Sequence, residues 1–415
     1  MTTGRPRGPV PARNGRGRPH RTTATTPEPG ARARWRFAVA AVVGLLTPLA
    51  APGVPADAAA PCATPAGVYQ DAVGWAQRLT DPTRIWPLTD GAGQLVAVLG
   101  TGIDADNPQF GPGQVAGASD RTDCDGRGTF AAGIVGARPD PATTFAGLAP
   151  GARILALRYT ETTDGAAGSG DGPDPDDLAE AVRRATDAGA GVILVVVPAV
   201  RSSRALESAV REALAEEIVV VAPAVAARAG LRSYPAALPG VLGVGAHDQA
   251  GSPVQTEAGG HVTLAAPGAD LVSTAAGTRG RIGQRWGVGD PAYAAAYVAG
   301  TVALIRAYRP ELSPAQVRER LAATANRPPY GRDPRLGWGR LDVAAAVTAE
   351  LPAGPAPGRA AAAAPQVVEP AVGPTRPPAR PRLPGVLALL GLVGAVLAGL
   401  AVTVLRRGRA RGWRR

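Results

Sequence analysis

Four short runs of almost purely apolar residues constrain this chain more than anything else in it. They are Leu95-Val-Ala-Val-Leu99, Ile154-Leu-Ala-Leu-Arg158, Gly191-Val-Ile-Leu-Val-Val-Val197 and Ile218-Val-Val-Val-Ala222. Each is too short for a helix of ordinary length, and none alternates polar with apolar as a half-solvated strand does. They therefore read as strands buried on both faces. Helical periodicity lies between them. Leu178, Ala181, Val182, Ala185 and Ala188 form one apolar face, with Asp176 or Asp177 placed to cap the helix and Gly189 to end it. A second helix is predicted over Leu206 to Glu216. A third opens at Ser313-Pro-Ala-Gln316, a capping box with Pro at the first helical position, and runs to about Ala323. Strands alternating with helices predict an α/β domain, a mainly parallel central sheet flanked by helices in three layers.

The ends of the chain have a different chemistry. The formal net charge of +11 first suggests a nucleic-acid partner. However, nine Arg against Glu28 alone lie in residues 1–36 and six more Arg in residues 406–415, which leaves about −3 for everything between. Basicity confined to the tails is what membrane flanks carry, so no nucleic acid is expected. Arg32-Ala-Arg-Trp-Arg36, an apolar stretch from Phe37 and the small residues around Ala56-Asp57-Ala58 read as a secretory signal. The Arg- and Pro-rich lead before it is either an extended first region of that signal or a misassigned start. Residues 385–405 are uncharged and apolar for the length of a transmembrane helix, and the basic tail after them is kept cytoplasmic by the positive-inside rule. Within that segment Gly391, Ala395 and Gly399 repeat at a spacing suited to close helix packing.

The expected organisation is therefore a presequence and signal in 1–58, an extracytoplasmic domain in 59–350, a Pro- and Ala-rich stalk in 351–384, a single type I membrane span in 385–405 and a cytoplasmic tail in 406–415. The chain has two cysteines, Cys62 and Cys124, and in an exported chain one disulfide between them is the default expectation.

Candidate chemistry in the domain is sparse. His20 lies in the presequence, and His247 and His261 read as exposed loop residues. Asp104, Asp106, Asp123 and Asp125 can bind a cation or pair with Arg127, and turn formation is the favoured reading. Asp171, Asp174, Asp176 and Asp177 lack the spacing of a calcium loop and read as helix caps. No metal site and no cofactor are expected. Gly100-Thr-Gly-Ile-Asp-Ala105 matches a dinucleotide fingerprint, but Asp106-Asn-Pro-Gln-Phe-Gly-Pro-Gly113 forbids the helix that the fingerprint needs.

Seven motifs nevertheless stand in the order of one family. Gln94-Leu-Val-Ala-Val-Leu-Gly-Thr-Gly-Ile-Asp104 resembles the subtilase strand ending in Asp-Thr-Gly, and Asp123-Cys-Asp-Gly-Arg-Gly-Thr-Phe-Ala-Ala-Gly-Ile134 resembles its His-Gly-Thr-x-Val-Ala-Gly helix start. Phe145-Ala-Gly-Leu-Ala-Pro-Gly-Ala-Arg-Ile154, Tyr234-Pro-Ala with Val241-Leu-Gly-Val-Gly245, and Leu264-Ala-Ala-Pro-Gly268 follow. Asp290-Pro-Ala-Tyr-Ala-Ala-Ala-Tyr-Val-Ala-Gly300 resembles the helix that carries the family's nucleophile, and Gly337-Trp-Gly-Arg-Leu-Asp-Val-Ala-Ala-Ala346 its closing motif. With the exported, membrane-anchored layout, the resemblance narrows to the mycosins, the membrane-anchored subtilases of type VII secretion.

The resemblance implies a subtilisin-like fold and an Asp, His, Ser triad. Carried across, the three positions are Gly100, Arg127 and Ala292, and the oxyanion Asn falls near Ala226. Glycine has no carboxylate, alanine no nucleophile, and a guanidinium only donates hydrogen bonds. The implied protein is a pseudoprotease that binds type VII secretion membrane components. The alternative is a serine endopeptidase using non-standard residues, and a third reading keeps the old cleft as a peptide groove.

Overall fold

The computed structural model describes residues 73–351, apart from 118–119, 121, 162–171, 226–231, 278–282 and 288. The signal, the stalk, the span, the basic tail, Cys62 and Ala226 lie outside the described residues. No helix among the described residues is long and apolar enough to cross a membrane.

The apolar runs become neighbouring strands. In chain order the strands are β1 (Leu95–Gly100), β2 (Val115–Ala116), β3 (Arg153–Arg158), β4 (Val192–Val195), β5 (Val219–Pro223), β6 (Leu242–His247), β7 (Pro253–Val254), β8 (Val262–Pro267), β9 (Leu271–Thr274) and β10 (Gly283–Trp286). The main sheet runs β2-β3-β1-β4-β5-β6-β7, with β8 also paired to β6; β9 and β10 form a separate antiparallel pair. All pairings in the main sheet are parallel except β6 with β7. The helices are α1 (Trp75–Thr80), α2 (Arg127–Gly136), α3 (Pro175–Asp187), α4 (Arg204–Ala215), α5 (Pro291–Tyr308), α6 (Pro314–Thr324) and α7 (Val343–Thr348).

Strand alternation divides the core in two. Ala97, Leu99, Ile193, Val195 and Val220 point to one face, where Leu178, Ala181, Val182 and Ala185 of α3 and Leu206, Ala209, Val210 and Ala213 of α4 cover them. Val96, Val98, Val192, Leu194, Val219 and Val221 point to the other, against α2 and α5. Continuous apolar strands with helices on both faces make the three-layer α/β arrangement that the sequence predicts.

The two faces need different helices. α3 and α4 are solvated on their outer sides and carry the usual apolar stripe. α5 runs through the second layer with every residue from Pro291 to Ile305 buried. That depth is compatible with its run of Ala and Gly, and Gly300 shows why: a Cβ there would sit 3.0 Å from the Leu148 Cβ.

Helix ends follow the sequence with one correction. Ser313 and Gln316 make the reciprocal capping box at α6, and Gly189, at φ +70°, follows the end of α3. The cap of α3 is Asp174, whose side chain accepts from Asp176 N at 2.8 Å, rather than Asp176 or Asp177. Pro175 at the first helical position sets the start earlier than apolar periodicity can, because that periodicity begins only at Leu178.

Phe130 of α2 and Tyr293 of α5 are the aromatic centre of the second layer, fully buried with ring centroids 4.5 Å apart and planes tilted by 46°. Phe130→Ala is expected to cost about 3–5 kcal/mol. Urea unfolding followed by far-UV circular dichroism measures this as a fall in the midpoint at unchanged slope.

Candidate functional site

The parallel strands β1, β4 and β5 end on one edge, where the N-termini of α2 and α5 also meet. Gly100 closes β1, Arg127 opens α2, and Ala292 is the second residue of α5. The three positions are linked through their immediate neighbours. Thr101 Oγ1 accepts from Gly128 N at 3.0 Å, tying the end of β1 to the start of α2. Asp290, beside the first turn of α5, forms an ion pair with Arg127 Nη1.

Asp123 organises the α2 side. It is 7% exposed and accepts four hydrogen bonds: from Thr101 Oγ1 at 2.8 Å, Gly126 N at 2.9 Å, and Thr129 N and Oγ1 both at 2.7 Å. Burial raises its carboxyl pKa, and those four donors oppose the rise. Thr129 Oγ1 in turn accepts from Asp104 N at 2.9 Å. Gly102 is required at this crossing. It has φ +102°, and a Cβ would fall 2.1 Å from the Thr122 carbonyl oxygen.

Arg127 introduces a cation at the N-terminus of α2, where the helix dipole disfavours it. Two carboxylates offset this. Asp125 Oδ1 lies 3.5 Å from Arg127 Nε, and Asp290 Oδ2 receives Nη1. The guanidinium carbon also stands 5.8 Å from the centroid of the Tyr293 ring. Asp290 has a second task. Its Oδ1 accepts from Ala292 N at 2.9 Å and caps α5, so one carboxylate holds the starts of two helices. The side chains of Arg127 and Asp290 are only 15% and 14% exposed.

At Gly100 a Cβ would meet Val196 Cβ at 3.1 Å, so the residue after β4 packs tightly against this position. Burial holds the Tyr293 phenol well above the ordinary tyrosine range, which keeps it neutral. Ala292 is 1% exposed.

The other polar candidates fall into place around this. Asp104 accepts from Gly277 N at 2.7 Å and Asp106 N at 3.1 Å, so Asp104 and Asp123 shape the backbone while Asp125 pairs with Arg127. No group of three or more His, Cys, Asp or Glu side chains among the described residues is placed to hold a metal. Cys124, between Asp123 and Asp125, has no free thiol.

Both histidines correct the expectation of exposed loops. His247 is 1% exposed at the end of β6, with its ring 5.8 Å from that of Trp75 and its Nδ1 2.8 Å from the Asp248 carbonyl oxygen. The sequence could not show that α1 folds back over β6. His261 Nε2 lies 3.3 Å from Glu257 Oε2, both side chains are 9% exposed, and Glu257 Oε1 also accepts from Ser233 N at 2.7 Å. Neither histidine belongs to the Arg127 cluster. Asp290 is the site residue that reasoning from the motifs missed. Its place immediately before Pro291 was a readable helix-cap signal.

The subtilase family profile matches residues 91–339. The chain belongs to the subtilase family. Mycosin-4 of Mycobacterium tuberculosis is 36% identical over 324 residues, covering 67% of this chain and 70% of that protein. Among solved structures, the serine protease MycP1, described as an essential component of the type VII (ESX-1) secretion system, has 29% identity and a TM-score of 0.59 over 70% of this chain and 93% of its own. A chain of an intact ESX-5 inner membrane complex has 29% identity and a TM-score of 0.60 over 84% and 94%. Within the family, then, this is a mycosin-like subtilase.

Two outcomes test this geometry. Arg127→Ala strands two carboxylates and is expected to cost about 3 kcal/mol, while Arg127→Met with Asp290→Ser, which keeps a capping hydroxyl, recovers more than half; a double-mutant cycle in urea measures both. Burial also lowers the pKa of His247, so the folded chain resists the proton that the unfolded chain takes up below about pH 6.5. Stability from this group is complete above that pH and lost as the medium is acidified. The melting temperature should therefore fall less between pH 7 and pH 5.5 in His247→Gln than in wild type.

Proposed function

We propose that this chain is a mycosin-like pseudoprotease, a binding component of a type VII secretion membrane assembly whose subtilase domain no longer cleaves peptides. In this reading Gly100, Arg127 and Ala292 stand at the family's Asp, His and Ser positions, and the oxyanion position is near Ala226. The observation that carries it is the ion pair between Arg127 and Asp290. A base at residue 127 must accept a proton from a nucleophile at residue 292, and here residue 127 instead donates to the cap of the helix that bears residue 292. Because several catalytic parts are replaced together, what is left is the modest rate that binding alone supplies.

Association with the secretion apparatus is supported by the likeness to the ESX-5 inner membrane complex chain and to a protease described as a component of the ESX-1 system. The accompanying layout is the one in the sequence: signal in 1–58, ectodomain in 59–350, stalk in 351–384, single type I span in 385–405, and a disulfide between Cys62 and Cys124. The domain faces the extracytoplasmic side. A peptide groove along the former cleft is compatible with this role, since subtilases hold substrates as added strands.

A serine-reactive fluorophosphonate probe applied to the purified full chain is expected to give no labelling, with no cleavage of casein above the buffer control. Active-site labelling accompanied by casein cleavage would replace the proposal with a serine endopeptidase that uses non-standard residues.

A further inference from the structure

Residues 326–340 form a loop unlike the rest of the domain surface. It carries Arg327, Arg332, Arg335 and Arg340 against Asp333 alone, a net of +3 in a chain whose residues between the two basic tails sum to about −3. All four arginines are exposed, and none of them forms an ion pair among the described residues. Some arginines elsewhere on the surface do find carboxylates, as Arg184 does with Asp120, Arg285 with Asp270 and Arg309 with Glu350, while others, such as Arg201, Arg204 and Arg211, form no ion pair among the described residues; what sets the loop apart is four arginines within fifteen residues. The one acid in the loop does not serve its cations. Asp333 Oδ1 faces the backbone, accepting from Arg335 N at 2.7 Å and Leu336 N at 2.9 Å.

The loop is also built to hold its shape. Asn326 and Arg340 exchange backbone hydrogen bonds of 2.8 and 3.0 Å at its neck, and Asp333 and Gly337 exchange two more of 2.9 and 2.8 Å. Arg332 Nη2 donates to the carbonyls of Gly260 at 2.6 Å and Val262 at 2.7 Å, clamping the loop to the edge at β8. Arg327 and Arg332 both lie within 6 Å of the Trp338 ring, at 5.6 and 5.8 Å from its centroid, so stacking fixes their planes. At the tip Tyr330 is 97% exposed, the most exposed large apolar side chain among the described residues.

A hydrogen-bonded loop that carries several arginines without carboxylate partners together with an exposed tyrosine has the composition of a protein-binding hot spot. Carboxylates are the fitting counter-groups, because the planar fork donates to both of their oxygens at once. A protein occupant is favoured over a lipid surface because the loop offers one projecting aromatic, and Trp338 is already engaged by two guanidinium groups. We infer that the 326–340 loop docks an acidic segment of a partner protein, with Tyr330 and Arg335 as its principal contacts. This rests on the reading of the chain as a binding component and names the chemistry of what it binds.

The test places the full chain in neutral phosphatidylcholine nanodiscs and titrates a fluorescein-labelled decapeptide of alternating Glu and Ala, with a Gln and Ala peptide as control. Binding of the acidic peptide alone is expected, weakening as NaCl rises from about 50 to about 300 mM. Tyr330→Ser with Arg335→Glu should weaken it roughly tenfold at an unchanged melting temperature. Both side chains point to solvent, and Arg335 enters the turn only through its backbone N–H. Equal binding by wild type and variant, no binding of the acidic peptide, or stronger binding to phosphatidylglycerol vesicles lost in the same variant would each overturn the inference, the last in favour of a lipid surface. The fluorophosphonate result is independent of all of these, so failure at the loop leaves the pseudoprotease reading to stand or fall separately.

Discussion

A helix that is buried on every side sets the terms for this domain. From Pro291 to Ile305 no residue of α5 reaches solvent, so its backbone must come close to β4, β5, β6 and β8 on one side and to α2 on the other. Small side chains permit that approach, and two tyrosines fill the spaces that small residues leave. Its first turn still needs a polar partner, because buried N–H groups that lose water must be bonded elsewhere. Asp290 meets that need, and the whole edge of the domain is arranged around where its carboxylate can go.

Arg127 follows from the same constraint. A cation at the start of α2 is unfavourable unless an anion is near, and the anion at hand is the cap of α5. The resulting pair joins two helix N-termini that are 163 residues apart in the chain. It serves as a structural rivet between α2 and α5. At residue 100 beside it the packing is close, since a Cβ on that glycine would meet Val196 Cβ at 3.1 Å.

The surface reflects a similar division. Where the domain core pairs Arg127 with Asp290, the loop at 326–340 carries arginines without carboxylate partners and an exposed tyrosine on a hydrogen-bonded backbone. The backbone hydrogen bonds between Asn326 and Arg340 close the neck of that loop.

The sequence by itself determined the layers. Runs such as Val192–Val195 have no polar face, so they had to be covered on both sides, and the capping box at Ser313 acts over four residues and needs no tertiary partner. It also carried the ordered motifs by which the chain resembles the subtilases, because each motif is a local run of residues. It could not fix what depends on distant neighbours. The Asp174 cap beside Pro175 and the pairing of His261 with Glu257 four residues earlier are local contacts, whereas His247 is sealed beneath Trp75 because α1, far back along the chain, folds over β6. The Arg127 to Asp290 pair is of this kind: residue types announce a cation and an anion, and only the folded chain brings them to one point, since charge pairing acts over a few ångströms of space and not over sequence.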